Sequence, residues 1–143
     1  MDPFIGRAVL NADITFSEKN IKSYQDYTKV LLVEDDPVTR WIVRKSLKNE
    51  CVFATAPTAN QAFQVFSSFQ PDLVFLDIDL PDQNGRKVLE WIMRHDPGTS
   101  VVMFSSNNNL ENISDTLENG ACGFIAKPFI KEDFIHYINE HSG

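Results

Sequence analysis

At 143 residues the chain has enough material for one domain, which would bury roughly 70% of the surface its unfolded form exposes. With 43% hydrophobic and 23% charged residues it has the composition of an ordinary globule; no apolar run approaches the roughly 20 residues of a membrane span, and no signal peptide is visible. The formal charge of −7 argues against a general nucleic-acid binder, and Cys51 and Cys122, lacking metal or redox spacing, read as buried free thiols in a reducing, cytoplasmic compartment.

Residues 1–28 read as an N-terminal extension in which apolar and polar residues mix without a clean period. Ile21, Tyr24 and Tyr27 recur at three-residue spacing, enough for one or two helical turns. Residues 29–143 carry the domain. Val30 to Val33 is a continuous apolar run of the kind a strand buried on both faces requires, and it ends in Glu34, Asp35 and Asp36. Pro37 suits the first turn of a helix with Asp36 as its N-cap, and Thr39, Ile42, Val43, Ser46 and Leu47 supply its inward stripe. A second strand is expected over 51–55 and a second helix over 58–69. Residues 73–76 form the third strand, delivering Asp77 to its carboxyl end. The breaker cluster Pro81, Asp82, Asn84 and Gly85 follows, then a helix over 85–95.

A fourth strand over 101–104 leads to Ser105, Ser106 and three asparagines. Leu110, Ile113 and Leu117 mark a fourth helix, closed by a left-handed stop at Asn119-Gly120. The fifth strand, 123–126, precedes Lys127-Pro128 and a last helix over 131–141. Strands and helices alternating five times predict an α/β fold, a doubly wound parallel sheet covered on both faces. The three histidines at 95, 136 and 141 have no ligand spacing and are expected at the surface.

Four strand ends now carry polar groups: Glu34-Asp35-Asp36, Asp77, Ser105 and Lys127. In an open α/β sheet ligands bind outside the carboxyl ends of the strands. If the first, third, fourth and fifth strands are neighbours, these groups converge. Crowded carboxylates repel unless a cation intervenes, and hard oxygen ligands suit Mg²⁺. A carboxylate beside such a metal, a hydroxyl and an ammonium is the equipment of an aspartyl-phosphate site.

Those same stretches resemble the receiver domain of two-component response regulators. V-L-L-V-E-D-D-P-V-T-R is similar to the family's first strand and acidic pair, and L-V-F-L-D-I-D-L-P-D-Q-N-G to its phosphoacceptor strand and loop. V-V-M-F-S-S and G-A-C-G-F-I-A-K-P-F match the two closing motifs, and the resemblance spans about residues 29–141. It implies a flavodoxin-like receiver fold with a five-stranded sheet in the order 2-1-3-4-5. It also implies that Asp77 accepts a phosphoryl group from a histidine kinase or histidine phosphotransfer protein. Mg²⁺ would be held by Glu34, Asp35, Asp77 and the backbone carbonyl of Asp79. Ser105 would be the switch hydroxyl, Phe124 the switch aromatic, and Lys127 the phosphate contact, with a cis peptide before Pro128.

The implied role is a signalling switch rather than an enzyme, acting on a downstream protein target that the sequence does not name. A homodimer is compatible with it; direct nucleic-acid and membrane binding are not expected. Phe124 stands where many members have Tyr, and Ala-Cys-Gly-Phe lacks the Asp-Asp-Tyr that supports salt bridges between receivers in many DNA-binding regulators. The chain ends with its fifth helix, as a stand-alone or excised receiver would. Two alternatives remain at this point: a pseudo-receiver that only binds partners or dimerises, and a dehalogenase-type phosphatase, whose Asp-x-Asp start resembles Asp77-Ile-Asp79. Helix four, strand five and helix five are expected to form the output surface, with Phe134 and Ile138 inward and Ile135 and Tyr137 more outward. Trp41 falls off the inward stripe of its helix, and residues 14–28, including Phe16, Ile21, Tyr24 and Tyr27, are candidates to cover it.

Overall fold

The computed structural model describes residues 27–141. The five strands are β1 (Lys29–Val33), β2 (Val52–Ala56), β3 (Leu73–Leu76), β4 (Ser100–Ser105) and β5 (Gly123–Ala126). All pair in parallel, in the order β2-β1-β3-β4-β5. The helices between and after them are α1 (Pro37–Leu47), α2 (Ala59–Phe69), α3 (Gly85–His95), α4 (Leu110–Glu118) and α5 (Lys131–His141).

Because a strand's side chains alternate between faces, each apolar run feeds two cores at once. Leu31 and Val33 of β1, Val74 and Leu76 of β3, and Val101 and Met103 of β4 enter one core, backed by Ala62, Val65 and Phe69 of α2 and Val88, Leu89 and Ile92 of α3. Val30 and Leu32, Leu73 and Phe75, and Val102 and Phe104 enter the other, against Val43 and Leu47 of α1 and Phe134 and Ile138 of α5. Phe134 meets Phe75 and Phe104 edge-on, at centroid distances of 4.8 and 5.7 Å. This double use explains why the runs read as unbroken rather than alternating.

Helix ends follow the local chemistry. Asp36 caps α1 by accepting from the amides of Val38 and Thr39, Thr58 caps α2 through Gln61, and Asn109 caps α4 through Asn112. Gly120 (φ +111°) takes the left-handed position after α4. The peptide before Pro128 is cis.

Some expectations need correction. Ile42 is exposed, and the buried residues of α1 are Val43 and Leu47. On α4, Leu110 is 79% and Leu117 43% exposed, and the side chain it buries fully is Thr116. Apolar spacing located that helix without telling which side faces the sheet. Cys51 is buried, where desolvation raises its thiol pKa, but Cys122 is exposed, at the turn into an edge strand. Trp41 is outward, 62% exposed, yet Tyr27 cannot cover it: Tyr27 is buried in the α2/α3 core, across the sheet from α1. The rest of the proposed cover, residues 14–26, lies outside the described residues. Ile135 and Tyr137 are, as expected, more outward than the buried Phe134 and Ile138, though still half-buried against the α1/α5 core. Among the described residues no helix is long and apolar enough to cross a membrane.

Candidate functional site

Strand register brings the predicted polar groups together at the carboxyl edge of the sheet. Val33 pairs with Leu76, so Glu34 and Asp77 leave adjacent strands side by side, tied by the Asp77 amide to the Val33 carbonyl (3.0 Å). Ser105 pairs with Ala126, and the Lys127 amide donates to the Ser105 carbonyl (3.1 Å). Two residues far apart in the chain, Asp77 and Lys127, thereby meet across β4.

Lys127 donates through Nζ to Glu34 Oε1 and to Asp77 Oδ2, the latter at 2.9 Å. Both acids are buried; Glu34 is 1% and Asp77 4% exposed. Burial pushes the Glu34 carboxyl above its usual range, against the hydrogen bonds from Lys127 and from the Asp36 amide. Burial alone would depress the Lys127 ammonium, but the bonds to Glu34 and Asp77 outweigh it and raise its pKa. The ammonium also lies 4.6 Å from the Phe104 ring centroid.

Asp77 Oδ1 accepts from the Asp79 amide at 3.1 Å, so both carboxylate oxygens are held. The loop beyond it is tightly folded. The Gly85 amide donates to the Ile78 carbonyl at 2.6 Å, and a Cβ at Gly85 would stand 2.0 Å from the Asp77 carbonyl oxygen, so a side chain is excluded there. Asp82 reaches across to accept from the amides of Ala59 and Asn60 (2.9 Å each), pinning the loop to the start of α2.

Asp35 is exposed beside this pair, and carboxylate oxygens of Glu34, Asp35 and Asp77 lie within 4.8 Å of one another. Ser105, fully buried, donates from Oγ to Asp79 Oδ2 (3.4 Å) and accepts from the Asn107 amide (3.1 Å). Phe124 is half-buried against the α2/α3 core. The candidate site residues Glu34, Asp35, Asp77, Asp79, Ser105 and Lys127 are therefore gathered at this edge, with Phe124 on the edge strand beside it.

Sequence reasoning missed two supports. Arg40 donates from one guanidinium nitrogen to the carbonyls of Glu34 and Asp35 (2.8 Å each), fixing the acidic turn from the first turn of α1. A cation one helical turn past an acidic cap is the signal that could have found it. Arg86 joins α3 to Asn112 and Asp115 of α4, a tertiary contact with no local signature. The histidines are exposed as expected, His95 stacked on Trp91 and His136 beside Glu140.

The sequence family described as the response regulator receiver domain matches residues 30–139. Among similar proteins, the probable C4-dicarboxylate response regulator DctR of Bacillus subtilis is 36% identical over 104 residues, covering 71% of this chain and 46% of that protein. The chemotaxis protein CheY of Listeria monocytogenes is 33% identical over 103 residues, covering 71% of this chain and 87% of that one. The chain thus spans about half of the first relative's length and most of the second's. A CheY-like receiver domain from Methanospirillum hungatei superposes with a TM-score of 0.76 at 28% identity, covering 81% of this chain and 94% of that structure. With the fold, the strand order and the family match in agreement, the chain belongs to the response regulator receiver domains of two-component signalling.

Proposed function

We propose that this receiver accepts a phosphoryl group on Asp77 from the phosphohistidine of a histidine kinase or phosphotransfer protein, and that the modified site reshapes a protein-binding surface. The observation that carries the reading is the Lys127 ammonium shared between the buried carboxylates of Glu34 and Asp77. A cation already stands where the charge of an incoming phosphoryl group would develop.

In the transfer, a carboxylate oxygen of Asp77 forms the new O–P bond as the P–N bond to the donor histidine breaks and the imidazole departs. Lys127 and the Asp79 amide hold the two Asp77 oxygens and so fix the plane of the nucleophile. Afterwards Lys127 neutralises one phosphoryl oxygen, and the Ser105 hydroxyl exchanges Asp79 for another. The three carboxylates Glu34, Asp35 and Asp77 form a hard-oxygen donor set that fits Mg²⁺, with the Asp79 carbonyl as a further ligand. When bound, the metal supplies charge neutralisation at the transferred group. Glu34 and Asp77 share their charge with Lys127, so the same two acids that hold the ammonium would also be the ones to hold the metal.

Phe124 then repacks into space vacated beside Ser105, carrying the change to α4, β5 and α5. The kinase, the downstream target and any second copy of the chain would read that surface. The decisive experiment is incubation with Mg²⁺ and a small acyl phosphate followed by intact mass measurement. One added phosphoryl group, released by hydroxylamine and absent from Asp77→Asn, is the expected result. An unmodified wild type would instead favour a pseudo-receiver, and turnover of many phosphate esters a phosphatase.

A further inference from the structure

The asparagine-rich turn between β4 and α4 is wired into the site by side chains that the phosphoacceptor chemistry does not need. The Asn107 amide donates to Ser105 Oγ at 3.1 Å. Asn107 is itself held by Asn112, whose Nδ2 donates to the Asn107 side-chain oxygen (2.6 Å) and carbonyl (3.3 Å). Asn112 Oδ1 accepts in turn from the Arg86 guanidinium. Arg86 Nε lies 3.3 Å from Asp115 Oδ2, close enough for ionic attraction though not aligned as a hydrogen bond. An arginine can only donate, so Asn112 must present its oxygen to Arg86 and its amide nitrogen to Asn107, giving the chain one polarity.

Both ends of this chain start at the site. Arg86 immediately follows Gly85, which is seated on the Asp77 carbonyl, and Ser105 rests on Asp79. Between them lies a helix with little apolar anchorage: α4 fully buries Thr116 while Leu110 and Leu117 are exposed. Its far end is followed by Gly120 in a left-handed conformation, where a side chain would meet Met93 of α3. A helix held weakly by packing is positioned by its polar ties, and these are broken at lower cost than a core.

We propose that Arg86–Asn112–Asn107 is a latch that holds α4 and the resting orientation of Ser105 together, so that drawing Ser105 towards a modified Asp77 releases α4. The proposal rests on the reading of Asp77 as phosphoacceptor, because that modification is what opens the latch. While closed, the latch opposes the modified state; removing it should favour that state by the same factor by which it loosens α4.

The test compares wild type, Arg86→Ala and Asn112→Ala in the full chain by hydrogen exchange of the unmodified protein and by titration with Mg²⁺ and beryllofluoride. Loss of a bridge of this kind is expected to speed exchange of amides 107–118 by roughly three- to tenfold, leave β1 and β3 unchanged, and tighten beryllofluoride binding by a similar factor. Faster exchange with unaltered affinity would overturn the coupling, and unchanged exchange would overturn the latch itself. If either alanine variant fails to fold, as judged by its melting curve, Arg86→Gln carries the same comparison. Should wild type bind no beryllofluoride, the reading of Asp77 falls, while the exchange arm still decides whether the bridge holds α4.

Discussion

Lys127 Nζ lies 2.9 Å from Asp77 Oδ2 while it also binds Glu34, so one ammonium holds two buried acids on neighbouring strands. Removing it leaves two carboxylates facing each other without a counter-charge. Lys127→Met should therefore cost about 1–3 kcal/mol at neutral pH, less than the full price of an orphaned buried charge because Glu34 can take up a proton. Under the proposed function Mg²⁺ would fill the same electrostatic role, without competition from the ammonium in this variant. Its addition should raise the melting temperature of Lys127→Met more than that of wild type; an equal rise in both would show that metal and lysine do not share these acids.

Gly85 is required by close approach rather than by an unusual backbone angle. A Cβ there would meet the Asp77 carbonyl oxygen at 2.0 Å and Ile78 Cα at 2.9 Å, and backbone atoms cannot swing aside as a side chain can. Gly85→Ala should destabilise by about 3 kcal/mol or more, the upper end of overpacking costs. It should also displace the Asp77 loop, visible as weaker Mg²⁺ binding in the fraction that folds. Urea unfolding that matches wild type within a few tenths of a kcal/mol would contradict this placement.

The sheet and the placement of its candidate site were legible because a parallel strand buried on two faces must be apolar throughout, so the first polar residue after each run marks the sheet's carboxyl edge. Glu34, Asp77, Ser105 and Lys127 all announced themselves in that way. Helix orientation was less legible. The spacing of Leu110 and Leu117 locates α4, yet a small, thinly packed edge helix can seat a threonine and leave its leucines in water. Gln70 ends α2 at φ +52°, a left-handed position without glycine that only tertiary context imposes. Arg86 and Asp82 act through contacts with elements distant in the chain, and a single sequence has no term for those.

Asp82 links the loop after β3 to α2, and its contribution depends on charge. Burial opposes ionisation, but the amides of Ala59 and Asn60 outweigh it and hold the carboxyl below its ordinary value of 3.8. A pKa depressed in the folded state stabilises above the unfolded value and loses that contribution as pH falls from there through the folded one. Asp82→Ala should cost about 1 kcal/mol near neutrality, the scale of a lost helix cap, with a smaller share than a buried pair because the group is solvated. The gap between wild-type and variant melting temperatures should hold from pH 7 to 5 and close below pH 4. A gap independent of pH would assign the effect to shape and not to charge.

Tyr137 ties α5 to β5 where the Phe124 ring leaves the edge strand. Its hydroxyl lies against the backbone of that strand: a Cβ placed on Gly123 would stand 2.3 Å from the hydroxyl oxygen and 2.5 Å from the ring carbon bearing it. Glycine at 123 and tyrosine at 137 therefore fit as a pair. Gly123→Ala should cost about 1–3 kcal/mol because the ring must move off the strand. In a Tyr137→Ala background the same glycine substitution meets no ring, so its cost should fall below about 0.5 kcal/mol. Denaturant unfolding of the four proteins measures this coupling, and equal costs of Gly123→Ala in both backgrounds would rule out the contact.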